Sequence, residues 1–420
     1  MTSNRSAGER STEPIEARLA RAGLPPLPRR SWLEIDLDNL AANARTLGGL
    51  LPAGCLLAIV VKADGYGHGT IAAARAALAG GASMLAVATL DEALGLRAAG
   101  VEARILVLYP VPPGMLAVAE GADLDLVVAD DPSLDAVVDA LRAGTRPRIH
   151  LGIDSGMSRG GLAPERAPGA ARRLLGAGLN ALSGTWSHLA TPEDPASVAA
   201  QVARFEAGLT ALGAAGIDAG LRHLNATGGI AGGIAPAFDM VRAGLAFYGV
   251  LPPELGVLEA SSARLRELRP ALSLRARATL LATVEAGARV GYAGTWTAAR
   301  RSTIATIAVG YADGWVRAYA PGSWGMVRGE RAPIVGRVSS DALALDVTDV
   351  AGYDVDDEIV LLGSEAPGMT VHDLASLRGS ISWEVLDDLS PRLSRVYLEG
   401  GRPVAVRYLD GETRFAPSTS

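Results

Sequence analysis

Residues 56–69 read LLAIVVKADGYGHG. Six apolar residues run straight into Lys62, and glycines at 65 and 67 flank Tyr66, with His68 behind. A short continuous apolar run bounded by a turn signal is the mark of a strand buried on both faces. The question is why a chain would aim a lysine out of the end of such a strand.

Working outward, the same texture recurs. Apolar runs at LLAIVVK, MLAVAT, RILVLY, LDLVVA, RIHLGI, LSGTWSH, LRHLNA and MVRAGLAFYG alternate with stretches of helical period at 70–79, 91–98, 132–143, 164–177 and 196–214. In DPSLDAVVDALRAG, Asp131 can cap a helix, Pro132 fits its first turn and Gly144 can end it. Eight strands separated by helices or long loops predict an α/β chain with an N-terminal (β/α)8 TIM-like barrel. An open doubly wound sheet is the alternative, but no GxGxxG follows the first strand. Chemistry in a barrel collects at the C-terminal strand ends, and Lys62, Arg159, His188, Asn225 and Arg242 all lie in or just after strand runs. Beyond about Pro270 the sequence becomes dense in Val, Ile, Thr and Gly at short spacings, which predicts a C-terminal mainly β domain. The boundary is expected within 255–272. The chain is thus read as a flexible tail over 1–30, a barrel over 31–262 and a β domain over 263–420, with one short helix at 14–22 in the tail.

The bulk numbers agree with a packed globular protein. Of 420 residues, 49% are hydrophobic and 20% charged, so a sizeable core is expected. The net charge of −6, without a long basic run, argues against a nucleic-acid surface. The single cysteine, Cys55, excludes an intrachain disulfide framework and reads as a small side chain packed in the first apolar strand. The N-terminus has no apolar stretch like a secretory signal, and no segment has the length of a charge-free membrane span, so a soluble cytoplasmic protein is expected. The five histidines show no metal-ligand spacing such as HExxH.

A lysine at a strand end can snorkel to solvent, bind phosphate as a point charge, or act as a positioned and partly desolvated amine. Gly65 and Gly67 allow a tight turn near a ligand, and Tyr66 offers a phenol to an anion. The segment VVKADGYGHG resembles the pyridoxal-phosphate (PLP) attachment segment of alanine racemases. HLGIDSGMSRGG (150–161), SHLATPED (187–194), MVRAGLAFYG (240–249), VGYADGWVRA (309–318), RAPIVGRVSSDALALDVTD (331–349) and ISWEVLDDLSPRLSRVY (381–397) match further landmarks of that family in order, over roughly residues 31–400.

The resemblance implies a PLP-dependent racemase of alanine working as a homodimer with shared active sites. Lys62 would hold the cofactor as an imine and serve as one base. Tyr311, contributed by the other subunit, would serve as the base on the opposite face, helped by His188, since a phenol of ordinary pKa is a poor base at neutral pH. Arg242 would face the ring nitrogen, oriented by His223; without the family it reads as a partner for Asp239. Arg159 would touch the cofactor's phenolic oxygen and the substrate carboxylate. Tyr66, Thr227, the N–H groups of Gly244 and Leu245, and Trp383 would surround the phosphate, and Ser340 would line the substrate pocket.

Three departures from the family pattern stand out. Gly152 stands where many members carry a carbamylated lysine that braces Arg159, so either an anion such as chloride fills the gap or Arg159 is less firmly held. Ser339 and Ser340 replace Cys-Met, and Trp383 replaces a tyrosine at the phosphate. These changes leave alanine as the first choice, with a broad-specificity or serine-type racemase, or a PLP barrel of another reaction type, as alternatives. A non-catalytic PLP carrier is a further one; it would need neither the second domain nor Tyr311.

Overall fold

The computed structural model describes residues 13–233, 235–251 and 263–417. The chain divides into two compact units, one of Asn39–Arg269 and one that combines the chain up to Asp38 with Pro270 onward.

The first unit is the predicted barrel. Its strands are β2 (Leu56–Val60), β3 (Met84–Val87), β4 (Arg104–Val107), β5 (Asp125–Val128), β6 (Arg148–Gly152), β7 (Gly184–Trp186), β8 (Leu221–His223) and β9 (Met240–Ala243), numbered after β1 (Ser31–Asp36) of the other unit. All eight pair in parallel in the order β8-β7-β6-β5-β4-β3-β2-β9. The seam between β8 and β9 is narrowed by a parallel bridge from Ala226 to Arg242, which nearly closes the ring. Each apolar run of the sequence holds one strand. The helices Thr70–Ala79, Leu90–Ala98, Asp131–Arg142, Ala167–Gly176 and Pro195–Ala214 fall on the periodic stretches. Capping differs in one detail: Asp130, not Asp131, caps Asp131–Arg142, its carboxylate accepting from the Ser133 amide at 2.8 Å. Ser133 returns the bond to Asp130, so the reciprocal pair selects the earlier start. Cys55 stands one residue ahead of β2 and is partly buried rather than inside the strand.

The second unit is an eleven-stranded, mostly antiparallel sheet. Two expectations are corrected here. Residues 31–36 do not open the barrel. β1 pairs antiparallel with β10 (Leu272–Ala276) and parallel with the strand Ser394–Glu399, so its backbone groups are satisfied by segments more than 230 residues away. The tail is also not loose throughout. Residues 1–12 lie outside the described residues, but Ile15–Arg21 is a helix whose Ile15 and Leu19 are fully buried with Leu24, Trp32, Val396 and Val406. The boundary falls at Arg269, within the expected 255–272 and beyond residue 262. Asn43 accepts from the Arg269 amide and donates to the Arg269 carbonyl, both at 2.9 Å, which ties the end of the 263–269 segment to the barrel unit.

Candidate active site

Lys62 follows β2 and is partly buried, and the backbone after it does something the sequence does not announce. Ala63, Asp64, Gly65 and Tyr66 all have positive φ (51°, 53°, 60° and 48°) and form one turn of left-handed helix. Only Gly65 takes that conformation without steric penalty; each of the others is strained by about 1–2 kcal/mol. The surroundings hold the turn. Glu92 accepts from the Ala63 amide at 2.7 Å, and Thr70 donates its hydroxyl to the Val61 carbonyl at 3.2 Å. His68 Nδ1 lies 2.8 Å from the Tyr66 carbonyl, so it is the protonated ring nitrogen. Tyr66 and His68 pack on Tyr248, whose hydroxyl donates to Val60 at the end of β2. The lysine ammonium is left 5.8 Å from the Tyr66 ring centre.

Tyr66 then reaches Gly244, just past the neighbouring strand β9. A methyl group placed on Gly244 would lie 3.3 Å from its hydroxyl, so glycine keeps that space open. The Gly244 amide donates to the Thr227 hydroxyl oxygen at 3.1 Å, which leaves the Thr227 proton directed elsewhere. Tyr66, Thr227, Gly244 and the adjoining Leu245 thus lie together as a neutral group, with the Gly244 N–H already engaged.

Arg242, third in β9, is buried. It does not pair with Asp239, which instead takes a two-pronged bond from Arg222 at 2.7 Å on each arm. Every partner of Arg242 is neutral: His223 Nδ1 at 2.5 Å, His188 Nδ1 at 3.1 Å, and the carbonyls of Ser187, His223 and Leu224. Burial, with Arg159 adding its repulsion, brings this guanidinium down to about 9. His188, just past β7, is pushed down to about 3 by burial and then by Arg242, Arg159 and Lys62. It is therefore a neutral imidazole at physiological pH, and since Nδ1 accepts from Arg242, Nε2 carries the proton. Arg159 is exposed, on a loop closed by Asp154, which accepts from the amides of Gly156 and Ser158.

Gly152 is buried against Trp186. A methyl group there would lie 3.3 Å from the indole Nε1, which is buried without a hydrogen-bond partner. The indole also lies under Arg242, 5.4 Å from its guanidinium carbon. A large residue at 186 thus fills the neighbourhood of the missing side chain at 152.

Of the remaining predicted residues, Tyr311, Ser340 and Trp383 belong to the β unit. Tyr311 is 50% exposed at the start of a short 3-10 turn. Its amide donates to Ser339 and that of Ala312 to Ser340, both at 3.0 Å, so Tyr311 and Ser340 are held side by side. A side chain on Gly310 would clash with both serine carbonyls at 2.4 Å. The turn is anchored by buried Asp313, which Arg29 grips with both arms at 2.7 and 3.2 Å. The Ser339 hydroxyl is spent on Ala342. Trp383 lies partly buried in the helix Ser382–Asp387. Sequence reasoning missed Glu92, Arg29, Trp186 and two further barrel residues, His150 and Asp125. A basic residue at the third position of the strands that begin RIH, LRH and MVR was the available signal for His150.

With this geometry in hand, family comparison is decisive. Residues 35–252 match the model of the alanine racemase N-terminal domain and residues 271–397 that of the C-terminal domain. The chain belongs to the alanine racemase family. It is 38% identical to the alanine racemase of Symbiobacterium thermophilum, over 88% of this chain and 97% of that one. It is 39% identical to that of Beutenbergia cavernae, with the same shares covered. Among solved structures, alanine racemase from Bacillus anthracis with bound L-Ala-P superposes with a TM-score of 0.84 at 32% identity, covering 91% of this chain and 99% of the other. That from Streptomyces lavendulae gives 0.81 at 35%, covering 89% and 98%. Membership of this family makes the chain an enzyme of the alanine racemase kind. No described helix is long and apolar enough to cross a membrane.

Proposed function

We propose that this chain is a PLP-dependent racemase that interconverts L- and D-alanine, acting in the cytoplasm as a homodimer in which Lys62 works with Tyr311 of the partner subunit. The reading is carried by one observation: at the C-terminal pole of the barrel, Lys62, Arg159 and the carboxylate-free Arg242 stand near a neutral Tyr66–Thr227–Gly244 cradle. Such a pole suits an anionic phosphate ester and a substrate carboxylate. When bound, PLP supplies an electron acceptor that makes the α-proton of an amino acid removable.

The residues divide the remaining work. Lys62 would hold the cofactor covalently at rest, then take and return a proton at its amine on one face of the α-carbon. Tyr311 of the partner subunit would do the same at its phenol oxygen on the other face. Its 50% exposure in the single chain suits presentation to a second copy. His188, neutral with its proton on Nε2, can donate to a phenolate and so favour its formation. Arg242 keeps its own protons and offers none readily to a ring nitrogen, which would leave that ring a weaker electron sink and disfavour side reactions. Arg159 would hold the substrate carboxylate, assisted by the backbone at Ser340. Tyr66 and Thr227 would hold the phosphate, with Leu245 and Trp383 beside them.

The test is to load purified protein with PLP, record its absorbance, incubate it with a panel of L-amino acids and separate the enantiomers. D-alanine should form fastest, and Lys62→Ala should abolish both the bound-cofactor absorbance and the turnover. An unchanged spectrum and rate in Lys62→Ala would sink the reading. Faster turnover of serine or a bulkier amino acid would replace its substrate.

A further inference from the structure

Behind Arg242 a line of polar groups crosses the barrel interior. Arg242 Nη1 is 2.5 Å from His223 Nδ1, His223 Nε2 is 2.9 Å from His150 Nδ1, and His150 Nε2 is 3.1 Å from Asp125 Oδ1. All four side chains are buried. Asp125, at the start of β5, is then gripped by Arg104 and by Arg148, the latter at 3.1 Å, both partly exposed at the opposite pole. Arg148 also pairs with Asp123.

The direction of this line follows from chemistry alone. Arginine has donors and no acceptor, so His223 Nδ1 must present a lone pair. A neutral imidazole then carries its proton on Nε2, which forces His150 Nδ1 to accept and His150 Nε2 to donate to Asp125. Any other tautomer, or a second proton on either ring, would set two N–H groups against each other. The barrel is shaped to hold the line. A side chain on Gly184 would come within 2.3 Å of His150 Nδ1, so β7 leaves out a side chain where that ring sits. Trp186 stacks nearly parallel on His223, at 14° and 6.2 Å.

We propose that His150 and Asp125 are positioning residues, which lock the polarity of this line so that His223 always offers Arg242 a lone pair and Arg242 keeps its protons where the cofactor ring would lie. The second half of that statement rests on the racemase reading; the first does not. Asp125 is the required terminus, because a carboxylate held by two arginines can only accept. An amide there would turn its oxygen to the arginines and its NH2 to His150. That would invert the His150 tautomer and oppose His223.

The experiment uses full-length protein labelled with 15N in its five histidines, with and without PLP. Ring-nitrogen shifts in the wild type should report neutral Nε2–H forms for both His150 and His223 from pH 5.5 to 8.5. Asp125→Asn should move His150 to the Nδ1–H form and lower kcat about tenfold or more, with KM for alanine within about twofold, as expected when an oriented imidazole loses its tautomer. Either ring found as Nδ1–H or titrating near 6.5 in the wild type would overturn the proposal; that arm needs no variant to fold. An inverted tautomer with unchanged kcat and pH profile would also overturn it and leave the line a structural feature. A wild type that racemises nothing would instead bring down the racemase reading, while the ring shifts would still decide the polarity.

Discussion

In the β unit, Glu34 lies between Arg18 at 2.7 Å and Arg275 at 2.9 Å, and Arg275 and Arg277 both reach Glu358. In the barrel, Arg242 faces two imidazoles and three carbonyls, and the nearest carboxylate along its line is Asp125, two rings away. Both units bury ionised groups, which is expensive unless the groups are paired. The β unit solves this by closing its network on itself: burial would raise the Glu34 carboxyl, but Arg275 and Arg18 outweigh it and hold it below the usual range. The barrel leaves its cation at the pole and stretches the compensation across its interior. A self-neutralising cluster reads as structure, whereas a cation kept apart from its counter-ion reads as a binding device. That is why fold-determining and function-determining charges can be told apart here.

The contrast can be broken by substitution. The largest effect should come from Tyr311→Phe, which removes the hydroxyl of the proposed second base. Racemisation should fall about 10²–10⁴-fold with the melting temperature unchanged, because the exposed hydroxyl supports no packing; a rate near wild type would remove the second base. Next, Glu34→Ala should destabilise the β unit by about 3–5 kcal/mol, since buried Arg18 loses its carboxylate and Arg275 is left with Glu358 and Glu365 alone. Thermal unfolding measures this, and a stability close to wild type would mean the closed network is no different in kind from the open one. Leu19→Ala, in the helix that covers Trp32 and Val396, should follow at about 2–5 kcal/mol by leaving a cavity.

The pH dependence should be the gentlest effect. Burial holds His188, His150 and His223 below their ordinary value, in His150 against the pull of Asp125. Below about pH 6.5 the unfolded chain takes up protons that the folded chain refuses. Stability should therefore be full above that pH and decline as pH falls, by up to about 1.4 kcal/mol per pH unit for each histidine. Asp125 and Glu34, lowered in the fold, contribute in the same direction only below about pH 4. Melting temperatures at pH 7.5 and 5.5 test this; equal values would mean that these imidazoles take up protons in the folded protein as readily as in the unfolded chain.

What could be read from the chain follows the range of the forces involved. The eight barrel strands announce themselves because each is an apolar run with its own turn signals, and Lys62 is visible as the residue that ends one. β1 could not be placed, because SWLEID is an ordinary strand whose partners at 272–276 and 394–399 leave no local mark. The helix Ile15–Arg21 was visible as a helix, but its burial depends on Val396 and Val406, far along the chain. In the site, Arg242, His188 and Thr227 could be carried over from motifs. The far end of the Arg242 line at Asp125 could not, because only the closure of parallel strands brings β5, β6, β8 and β9 around one interior. Glu92 likewise serves the Lys62 turn from the helix Leu90–Ala98, beyond β3, through a side-chain bond to the Ala63 amide that no spacing rule predicts.

The left-handed turn after Lys62 has a stereochemical corollary. Seen in a mirror, residues 63–66 form an ordinary right-handed helical turn, so the backbone there is shaped for residues of the opposite hand. A semisynthetic chain carrying the D-enantiomer at Ala63 would sit in that turn without its steric penalty. A protein assigned to exchanging the two hands of alanine thus sets its own lysine in place with a segment that would accommodate the unnatural one.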